Sequence, residues 1–419
     1  MTWMRRAMIP VLIFSIVAVT HFLGVITSYD SLWSIPIARS VLYQGNADLD
    51  EYADLLAKNR FYGIEFIGGH YYAFFPIGVS LVAMPVVGVL DAAGIKPHDS
   101  KTEKLVASLV VALTAVLLYG LARRSLDVPR ALLLTFVFAF CTAAWSTASR
   151  GLWQHGPSML MLTLTLWIIV EAETRPALIT LASLPLAFSY VIRPTNAISV
   201  VVLSLFVLIR YRAYFVRYVL LAQVIAIPFV LFSLSVYHSP LPHYYASGRI
   251  GYASVFREAL VGNLISPNRG LFVFSPVLLL SLSGAWRRLR HGGALLDRFL
   301  VVIVILHWLA ISSFPHWWGG HSFGSRLFAD MLPYFLYFMI PVMAALPGPP
   351  GLRRATRVSV AACLIALSFF INFRGANARA VYRWNGSPVN VDDRPSRIWD
   401  WRDLQFLRGI REEPPADPR

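Results

Sequence analysis

The sequence predicts an all-α polytopic membrane protein with about eleven spanning helices. Of its 419 residues, 57% are hydrophobic and only 14% are charged, whereas a soluble domain usually contains about 25% charged residues. Apolar runs recur along almost the whole chain, and a hydrocarbon core of ~30 Å is crossed by about 20 helical residues. Arginine clusters also lie at the ends of alternate runs, which is the charge pattern of a membrane topology.

Polar segments separate the predicted spans, which are 8–27, 104–121, 131–147, 158–171, 176–192, 197–210, 218–236, 270–286, 299–314, 327–346 and 357–373. One further run, 76–93, is shorter and is broken by Pro85 and Gly88. Its length alone does not decide whether it crosses the bilayer. If it did, the arginine-rich loops after it would all lie on the outside, so we predict that it does not cross.

The basic residues orient the chain. The formal net charge is +15, from 37 basic and 22 acidic residues, and in a soluble protein such an excess would suggest nucleic acid. Here most of the excess forms arginine clusters in short loops on one side, and short-loop Lys and Arg favour the cytoplasm. We therefore predict a cytoplasmic N-terminus, an external C-terminus, the lipid bilayer as surroundings, and no nucleic-acid partner.

This topology places four loops and a tail outside. The loops are 29–103, which we expect to contain juxtamembrane helices, 148–157, 237–269 and 315–326. The chain divides into a membrane module, 1–373, and a tail, 374–419. Because the tail is polar but rich in Trp, we expect it to pack on the outer face, with its last residues, EEPPADPR, disordered. Loops on a rigid scaffold usually carry the chemistry, so the functional groups are expected outside.

Asp30 directly follows the first span. A carboxylate at that depth is partly desolvated, which raises its basicity and suits a general base. The alternative is a cap for a helix that begins near Ser31. Tyr72, in the segment GGHYYAFFP, belongs either to an interfacial aromatic belt or to a platform for substrate.

Three single arginines lie in the predicted outer segments: Arg193, Arg269 and Arg326. An arginine near the hydrocarbon edge costs about a few kcal/mol unless it is paired or snorkels to water. A phosphate would be a suitable partner because a guanidinium binds it bidentately. Arg269 and Arg326 also precede helix N-termini, which favour anions. The alternatives are a salt bridge from Arg326 to Asp330 and snorkelling of Arg193 to water.

Polar aromatic groups accompany these arginines in the outer loops: Trp153, Gln154, His155, His316, Trp317, Trp318, His321 and Ser322. Flat rings and side-chain hydrogen bonds suit a sugar. The sequence has no HExxH, no cysteine pair, no GxxxxGK[ST] and no GxGxxG, so neither a metal nor a nucleotide cofactor is expected. A divalent cation is left open.

The order of these features resembles the GT-C superfamily of membrane glycosyltransferases, especially bacterial relatives of the protein O-mannosyltransferases and the lipid A aminoarabinose transferases. The residues that carry the resemblance are Asp30 after the first span, the FPxG turn at 75–78, LARRSL at 121–126, SPNRGLFVFSP at 266–276 and WWGGHSFGSRLFADMLP at 317–333. Many members have an Asp-Glu pair after the first span, whereas this chain has Asp30-Ser31.

The resemblance implies a GT-C-like bundle in a bacterial inner membrane, with its active site in the periplasm. It implies inverting transfer of a sugar from a polyprenyl-phosphate donor to a hydroxyl of a protein or an envelope glycan. Asp30 would be the base. The remaining site residues would be Arg269, Arg326 and Arg193 on the donor phosphate, and His155, His321, Trp318, Asn268 and Tyr72 on the sugar or acceptor. A lipid carrier is also expected on physical grounds, because nucleotide sugars are not available outside the cytoplasm.

The main alternative is a transporter or flippase of a lipid-linked sugar. It would use the same arginines and aromatic residues for binding, without chemistry. Transporters favour inverted repeats and interrupted helices near the midplane. The sequence contains no convincing internal repeat, and its polar groups lie on one predicted face, so the transferase is the preferred hypothesis.

Overall fold

The computed structural model describes residues 2–27, 29–59, 61–246, 255–290, 292–346 and 351–410. These residues are mostly helical, which confirms the predicted all-α fold class. The segment EEPPADPR at the C-terminus, predicted to be disordered, lies outside the described residues.

The helices in chain order are α1 (Thr2–Phe22), α2 (Ser34–Tyr43), α3 (Ala53–Lys58), α4 (Gly78–Ala92), α5 (Asp99–Arg123), α6 (Val128–Phe140), α7 (His155–Glu171), α8 (Ser183–Ile192), α9 (Ala197–Arg210), α10 (Phe215–Tyr237), α11 (Phe256–Ile265), α12 (Leu271–Phe274), α13 (Leu279–Arg290), α14 (Leu295–Ser312), α15 (Leu332–Ala345), α16 (Leu352–Asn377) and α17 (Arg379–Arg383). Strands β1 (Ile64–Ile67) and β2 (His70–Ala73) form a hairpin between α3 and α4.

Every predicted span coincides with helical structure. In the described part of the chain, five helical stretches are long and apolar enough to cross a membrane by themselves: Asp99–Arg123, Arg212–Tyr237, Leu295–Ser312, Arg326–Ala345 and Arg354–Asn377. Shorter apolar helices, among them Met8–Phe22 and His155–Glu171, accompany them. The chain is a multi-pass membrane protein, and the total of about eleven crossings stays a prediction.

Two predicted spans are interrupted. The span 270–286 is divided into α12 and α13, because Pro276 begins a 3₁₀ turn between them and proline cannot donate the backbone hydrogen bond of a continuous helix. The span 131–147 ends as an α-helix at Phe140 and continues as a π-helical turn, Ala144–Ala148. Between these two helical segments, the Thr142 hydroxyl donates to the Phe138 carbonyl oxygen at 2.6 Å, and such a local bond competes with helix continuation.

The predicted first outer loop contains the expected helices, α2 to α4, and also a hairpin that was not predicted from the sequence. Strands β1 and β2 are antiparallel, with Ile67 opposite His70. Gly68 and Gly69 between them have φ of 60° and 96°, and a two-residue turn with positive φ at both positions matches the twist of a hairpin. The local sequence signal for this hairpin is the pair of glycines between β-branched and aromatic residues.

The described residues form two compact units. The first, here called the Asp30 unit, comprises 26–110 and 151–248. Its core joins α2, α4 and the start of α5 through Ile35, Ala38 and Ala83, all fully buried. Gly78 at the start of α4 permits a close approach, since a Cβ there would lie 2.6 Å from the Val191 carbonyl oxygen. The end of α8 is thereby held against α4.

The second unit, here called the Arg269 unit, comprises 1–25, 111–150 and 249–419. One of its cores joins Trp317 to Trp384, Val391 and Ile398. The last three belong to the predicted tail, and all three are fully buried. The tail from residue 374 therefore contributes to the core of this unit, and α16 continues past the predicted boundary to Asn377.

A cysteine-labelling experiment tests the orientation of the chain. We expect Lys96→Cys, an exposed site between α4 and α5, to react with an impermeant maleimide in intact cells, because the sequence predicts that α4 does not cross. The background replaces the exposed Cys363 with Ser; Cys141 is buried. Ser125→Cys, in a predicted cytoplasmic loop, should label only after permeabilisation. Labelling of position 96 only after permeabilisation would mean that α4 crosses the membrane.

Candidate functional site

The turn after α1 carries Asp30, which is half-buried. The next residue, Ser31, is buried, and its hydroxyl donates to Glu103 Oε2 at 2.6 Å. Glu103 lies near the start of α5, is 3% exposed, and also accepts the backbone N–H of Leu152. A buried carboxylate requires hydrogen-bond donors to be stable, and the Ser31 hydroxyl is one of the donors to Glu103. This bond fixes the position of Ser31 and hence of the turn that carries Asp30.

The sequence analysis missed Glu103. It assigned Glu103 to the end of the first outer loop, one residue before a predicted span. The sequence signal that could have identified Glu103 is its position as an acidic residue at the start of an apolar run. Ionisable residues at such positions are rare and usually paired. At the position where the resemblance would imply a second acid, this chain has Ser31, whose hydroxyl donates to the Glu103 carboxyl group on α5.

Arg193 and His155 are in contact in the Asp30 unit. Arg193 follows α8, His155 is the first residue of α7, and both are buried. Arg193 Nη1 lies 3.4 Å from His155 Nε2, which acts as acceptor only in the neutral Nδ1–H tautomer. Arg193 Nε donates to Thr195 Oγ1 at 2.8 Å. Arg193 was predicted to bind the donor phosphate and His155 the sugar or acceptor. The structure places the two side chains in contact, and this pair is here called the Arg193–His155 corner.

Tyr72 lines an aromatic pocket of the same unit. The pocket encloses about 350 Å³, including space open to solvent, and its lining includes Phe74, Phe75 and Tyr237. Tyr244 contacts Phe74 at 5.3 Å between ring centroids and accepts a hydrogen bond from Gln154 Nε2 at 3.1 Å. Tyr244 therefore links the lining residue Phe74 to Gln154, the residue before His155.

One group of described residues has the spacing of a metal site: Asp48, Asp50 and His70, whose ligand atoms lie within 4.8 Å of one another. These atoms already bind one another, since Asp50 Oδ2 lies 2.6 Å from His70 Nδ1. The backbone N–H of Tyr71, followed by the His70 ring, lowers the pKa of Asp50. This arrangement fastens the hairpin to the preceding turn. The expectation of no metal cofactor stays a prediction.

Arg269 is the centre of a buried network in the Arg269 unit. It is 1% exposed, and its five N–H groups have five protein acceptors. These are the carbonyl oxygens of Trp318 (2.8 Å), Asn268 (2.6 Å) and Gly320 (3.0 Å) and the side-chain oxygens of Gln405 (2.9 Å) and Asn385 (2.8 Å). A guanidinium has five donors in total, so none is left for a phosphate.

All five acceptors of Arg269 are neutral, and burial lowers the pKa of Arg269 to about 9. The guanidinium also lies over the Trp384 ring at 5.4 Å, a cation–π contact that partly replaces the lost hydration. Asn268 completes the network, because its Nδ2 donates to the carbonyl oxygens of Arg397 and Asp400. Arg269 and Asn268 therefore join the loop 315–326 to the tail.

Trp318 and His321 also bind the tail. The indole N–H of Trp318 donates to Asp392 Oδ1 at 2.7 Å, and Trp318 is 7% exposed, which leaves little ring surface for a sugar. His321 Nε2 donates to Asn390 Oδ1 at 2.8 Å and lies 3.7 Å from Asp392 Oδ2. Unlike Trp318, His321 is half-buried and keeps part of its ring accessible.

Arg326 begins the 3₁₀ turn Arg326–Met331 and is half-buried. One of its terminal nitrogens, Nη1, lies 3.4 Å from the Gly319 carbonyl oxygen, a long contact. Gly319 and Gly320 have φ of 73° and 63°, so the loop turns twice through a conformation that favours glycine. This loop places Arg326 and His321 on the same short segment.

The structure thus brings five predicted residues together in the Arg269 unit: Asn268, Arg269, Trp318, His321 and Arg326. In the Asp30 unit it joins Arg193 to His155, and Tyr72 lines an aromatic pocket of the same unit. The sequence analysis had no signal for Gln405, Asn385 or Asp392, the tail residues that bind the loop.

Solved structures with the same fold are membrane glycosyltransferases of the GT-C superfamily. ArnT from Cupriavidus metallidurans, determined with undecaprenyl phosphate bound, has a TM-score of 0.56 and 15% identity over 89% of this chain and 68% of ArnT. The oligosaccharyltransferase of Archaeoglobus fulgidus in its apo form has a TM-score of 0.54 and 10% identity over 97% of this chain and 62% of its own.

The Archaeoglobus fulgidus oligosaccharyltransferase AglB was also solved with an inhibitory peptide and a dolichol-phosphate; that structure has a TM-score of 0.51 and 11% identity over 97% of this chain and 61% of its own. The present chain thus spans about three-fifths of the oligosaccharyltransferase. No protein-family model and no curated protein matches the sequence. At these identities the likeness concerns the fold, and it confirms that the chain has the GT-C fold.

Proposed function

We propose that this protein is an inverting glycosyltransferase that moves a sugar from a polyprenyl-phosphate carrier to an acceptor hydroxyl. The observation that carries the proposal is the GT-C fold with a half-buried carboxylate, Asp30, in the turn between α1 and α2. The solved structures support a lipid-phosphate donor, since ArnT was determined with undecaprenyl phosphate and AglB with a dolichol-phosphate. The acceptor is a hydroxyl of a protein or an envelope glycan.

In the proposed reaction, the acceptor oxygen attacks the anomeric carbon from the face opposite the phosphate. The new bond joins that oxygen to the anomeric carbon, and the bond from the anomeric carbon to the phosphate oxygen breaks. Asp30 accepts the acceptor proton, and polyprenyl phosphate leaves with both electrons of the broken bond. General-base assistance contributes about 10²–10⁴-fold to such a rate. Cations that stabilise the charge developing on the phosphate contribute the larger electrostatic share.

The phosphate-binding role is assigned to Arg326 and to the Arg193–His155 corner. Arg326 is half-buried on a loop stiffened by its contacts with the tail. In the Asp30 unit, the buried Arg193 is held by Thr195 and His155. Arg269 is assigned a structural role instead, because its five donors are bound to protein oxygens. Sugar contacts fall to His321 and Tyr72, which keep accessible surface.

A multi-pass chain with arginine-rich loops on one side supports a bacterial inner membrane, with the N-terminus in the cytoplasm and the site and C-terminus in the periplasm. Such a site depends on a lipid carrier because nucleotide sugars stay in the cytoplasm. No cofactor is assigned.

Transfer is tested with purified full-length protein in liposomes, using radiolabelled polyprenyl-phosphate sugars and a panel of acceptors. The expected result is a new glycosidic bond with the anomeric configuration inverted, and release of polyprenyl phosphate. A protein that only moves the donor across the bilayer would change donor accessibility without forming a bond. Donor movement without transfer for every sugar tested would reject the transferase and favour the transporter.

Arg326→Gln is expected to raise the donor KM by about 10- to 100-fold, because a charge-assisted hydrogen bond contributes about 1.5–3 kcal/mol. The measurement compares KM for a polyprenyl-phosphate sugar in wild type and variant. Arg257→Gln, which removes the same charge from an exposed position on α11, should leave KM unchanged. Equal KM values for the Arg326 variant and wild type would remove Arg326 from the phosphate site.

A further inference from the structure

Arg150 is a buried cation that the function proposed above does not use. It follows the π-helical turn Ala144–Ala148 and is 2% exposed. Its Nε and Nη2 atoms have no hydrogen-bond partner among the described residues. The ring centroid of Tyr382 lies 5.5 Å from its guanidinium carbon.

The two unpartnered atoms form one functional edge. In a guanidinium, Nε–H and one N–H of Nη2 point in the same direction, and together they bind two oxygens of a single oxyanion. Nothing in the described part of the chain offers that edge a carboxylate. Burial lowers the pKa of Arg150 to about 10, so the group is still protonated at neutral pH. A buried charge without a counter-ion is strongly unfavourable.

The backbone around Arg150 is held firmly. The Arg150 N–H donates to the Thr147 carbonyl oxygen at 3.1 Å. Within the turn, Ser146 Oγ donates to Asn372 Oδ1 at 2.6 Å, and Thr147 Oγ1 donates to the Phe323 carbonyl oxygen at 3.1 Å. Phe323 belongs to the loop that carries Arg326. The π-helical turn that precedes Arg150 therefore packs against the loop that carries Arg326, and π-helical insertions occur frequently at functional sites.

We propose that Arg150 binds a phosphate oxyanion through its Nε–Nη2 edge. A phosphate offers pairs of oxygens that match the two parallel N–H groups of this edge. The same chemistry is offered by the headgroup of a polyprenyl phosphate and by free phosphate. The inference rests on the proposed function only for the choice of a lipid phosphate as the first probe.

The test uses the full-length protein in a phosphate-free detergent and measures thermal unfolding with added ligand. Undecaprenyl phosphate should raise the melting temperature of the wild type, whereas undecaprenol should not. Arg150→Met should raise the Kd for undecaprenyl phosphate by on the order of 100-fold, as expected for loss of one partner of a buried charge pair. Arg150→Lys keeps the charge but loses the two-donor edge, so its Kd should also rise.

Two controls separate binding from folding. Arg383→Met, at an exposed position on α17, should bind undecaprenyl phosphate like the wild type. Without ligand, Arg150→Met should melt at the same or a higher temperature than the wild type, since it removes a buried charge without a counter-ion. A lower melting temperature without ligand for both Arg150 variants would overturn the inference, because Arg150 would then be a structural residue.

The remaining outcomes identify the ligand. An Arg150-dependent shift with inorganic phosphate means that the phosphate group suffices; a shift with the lipid alone makes the lipid headgroup the ligand. An equal shift with palmitate would overturn the phosphate assignment, as would an Arg150→Met variant that keeps wild-type affinity. Phosphate binding through Arg150 without transfer activity would reject the proposed function and leave this inference standing.

Discussion

Asp30→Asn is expected to lower kcat for sugar transfer by about 10²–10⁴-fold. An amide has nearly the same size as a carboxylate and still forms hydrogen bonds, but it cannot accept the proton of the acceptor hydroxyl. The anchor of the turn is untouched, because Ser31 and Glu103 hold the backbone. Donor affinity and melting temperature should therefore stay at their wild-type values, and the loss should appear in kcat.

The measurement is initial-rate transfer in liposomes together with donor binding by the same preparation. Asp54→Asn is the matched control, since Asp54 is an exposed carboxylate of the same outer loop; its rate should be that of the wild type. If Asp30→Asn retained full turnover, Asp30 would not be the base. If it lost folding as well as activity, Asp30 would be a structural residue of the turn.

Arg269→Ala is expected to lower the free energy of unfolding by about 3–5 kcal/mol. The substitution leaves several buried acceptors without donors, among them the side-chain oxygens of Gln405 and Asn385. It also removes a cation from the Trp384 ring. Arg269→Lys should recover only part of the stability, because an ammonium has three donors where the guanidinium has five.

Chemical denaturation in detergent measures this loss, and limited proteolysis locates it. We expect new cleavage between residues 384 and 408, because these residues are held by the Arg269 network. Arg257→Ala, an exposed arginine in the same unit, should unfold like the wild type. If Arg269→Ala unfolded normally but bound donor weakly, Arg269 would return to the phosphate-binding role that the sequence predicted.

The hydrogen-bond partners of Arg269 could not be predicted from the sequence. The sequence correctly marked it as unusual, because an arginine beside an apolar run requires a partner. From the sequence alone, a phosphate and a set of protein oxygens are equally good partners for this arginine. The true acceptors on the tail lie more than 110 residues away along the chain, and no local pattern records such a distant contact.

Glu103 differs from Arg269, because no role was predicted for it from the sequence and the structure shows one. Its position before an apolar run carried only a weak signal, so it received no role. The structure gives it one, because α5 packs so that Glu103 reaches the hydroxyl of Ser31. Glu103 thus reaches the residue next to Asp30, a contact that the order of residues does not reveal.

The sequence alone determined the helices, the multi-pass class and the position of Asp30, because hydropathy and the effect of proline act over about 20 consecutive residues. Tertiary structure alone decided which arginines are occupied by the protein itself. That outcome depends on whether a distant chain segment supplies enough hydrogen-bond acceptors to replace water. For Arg269 the tail supplies them, whereas the Nε–Nη2 edge of Arg150 has none among the described residues.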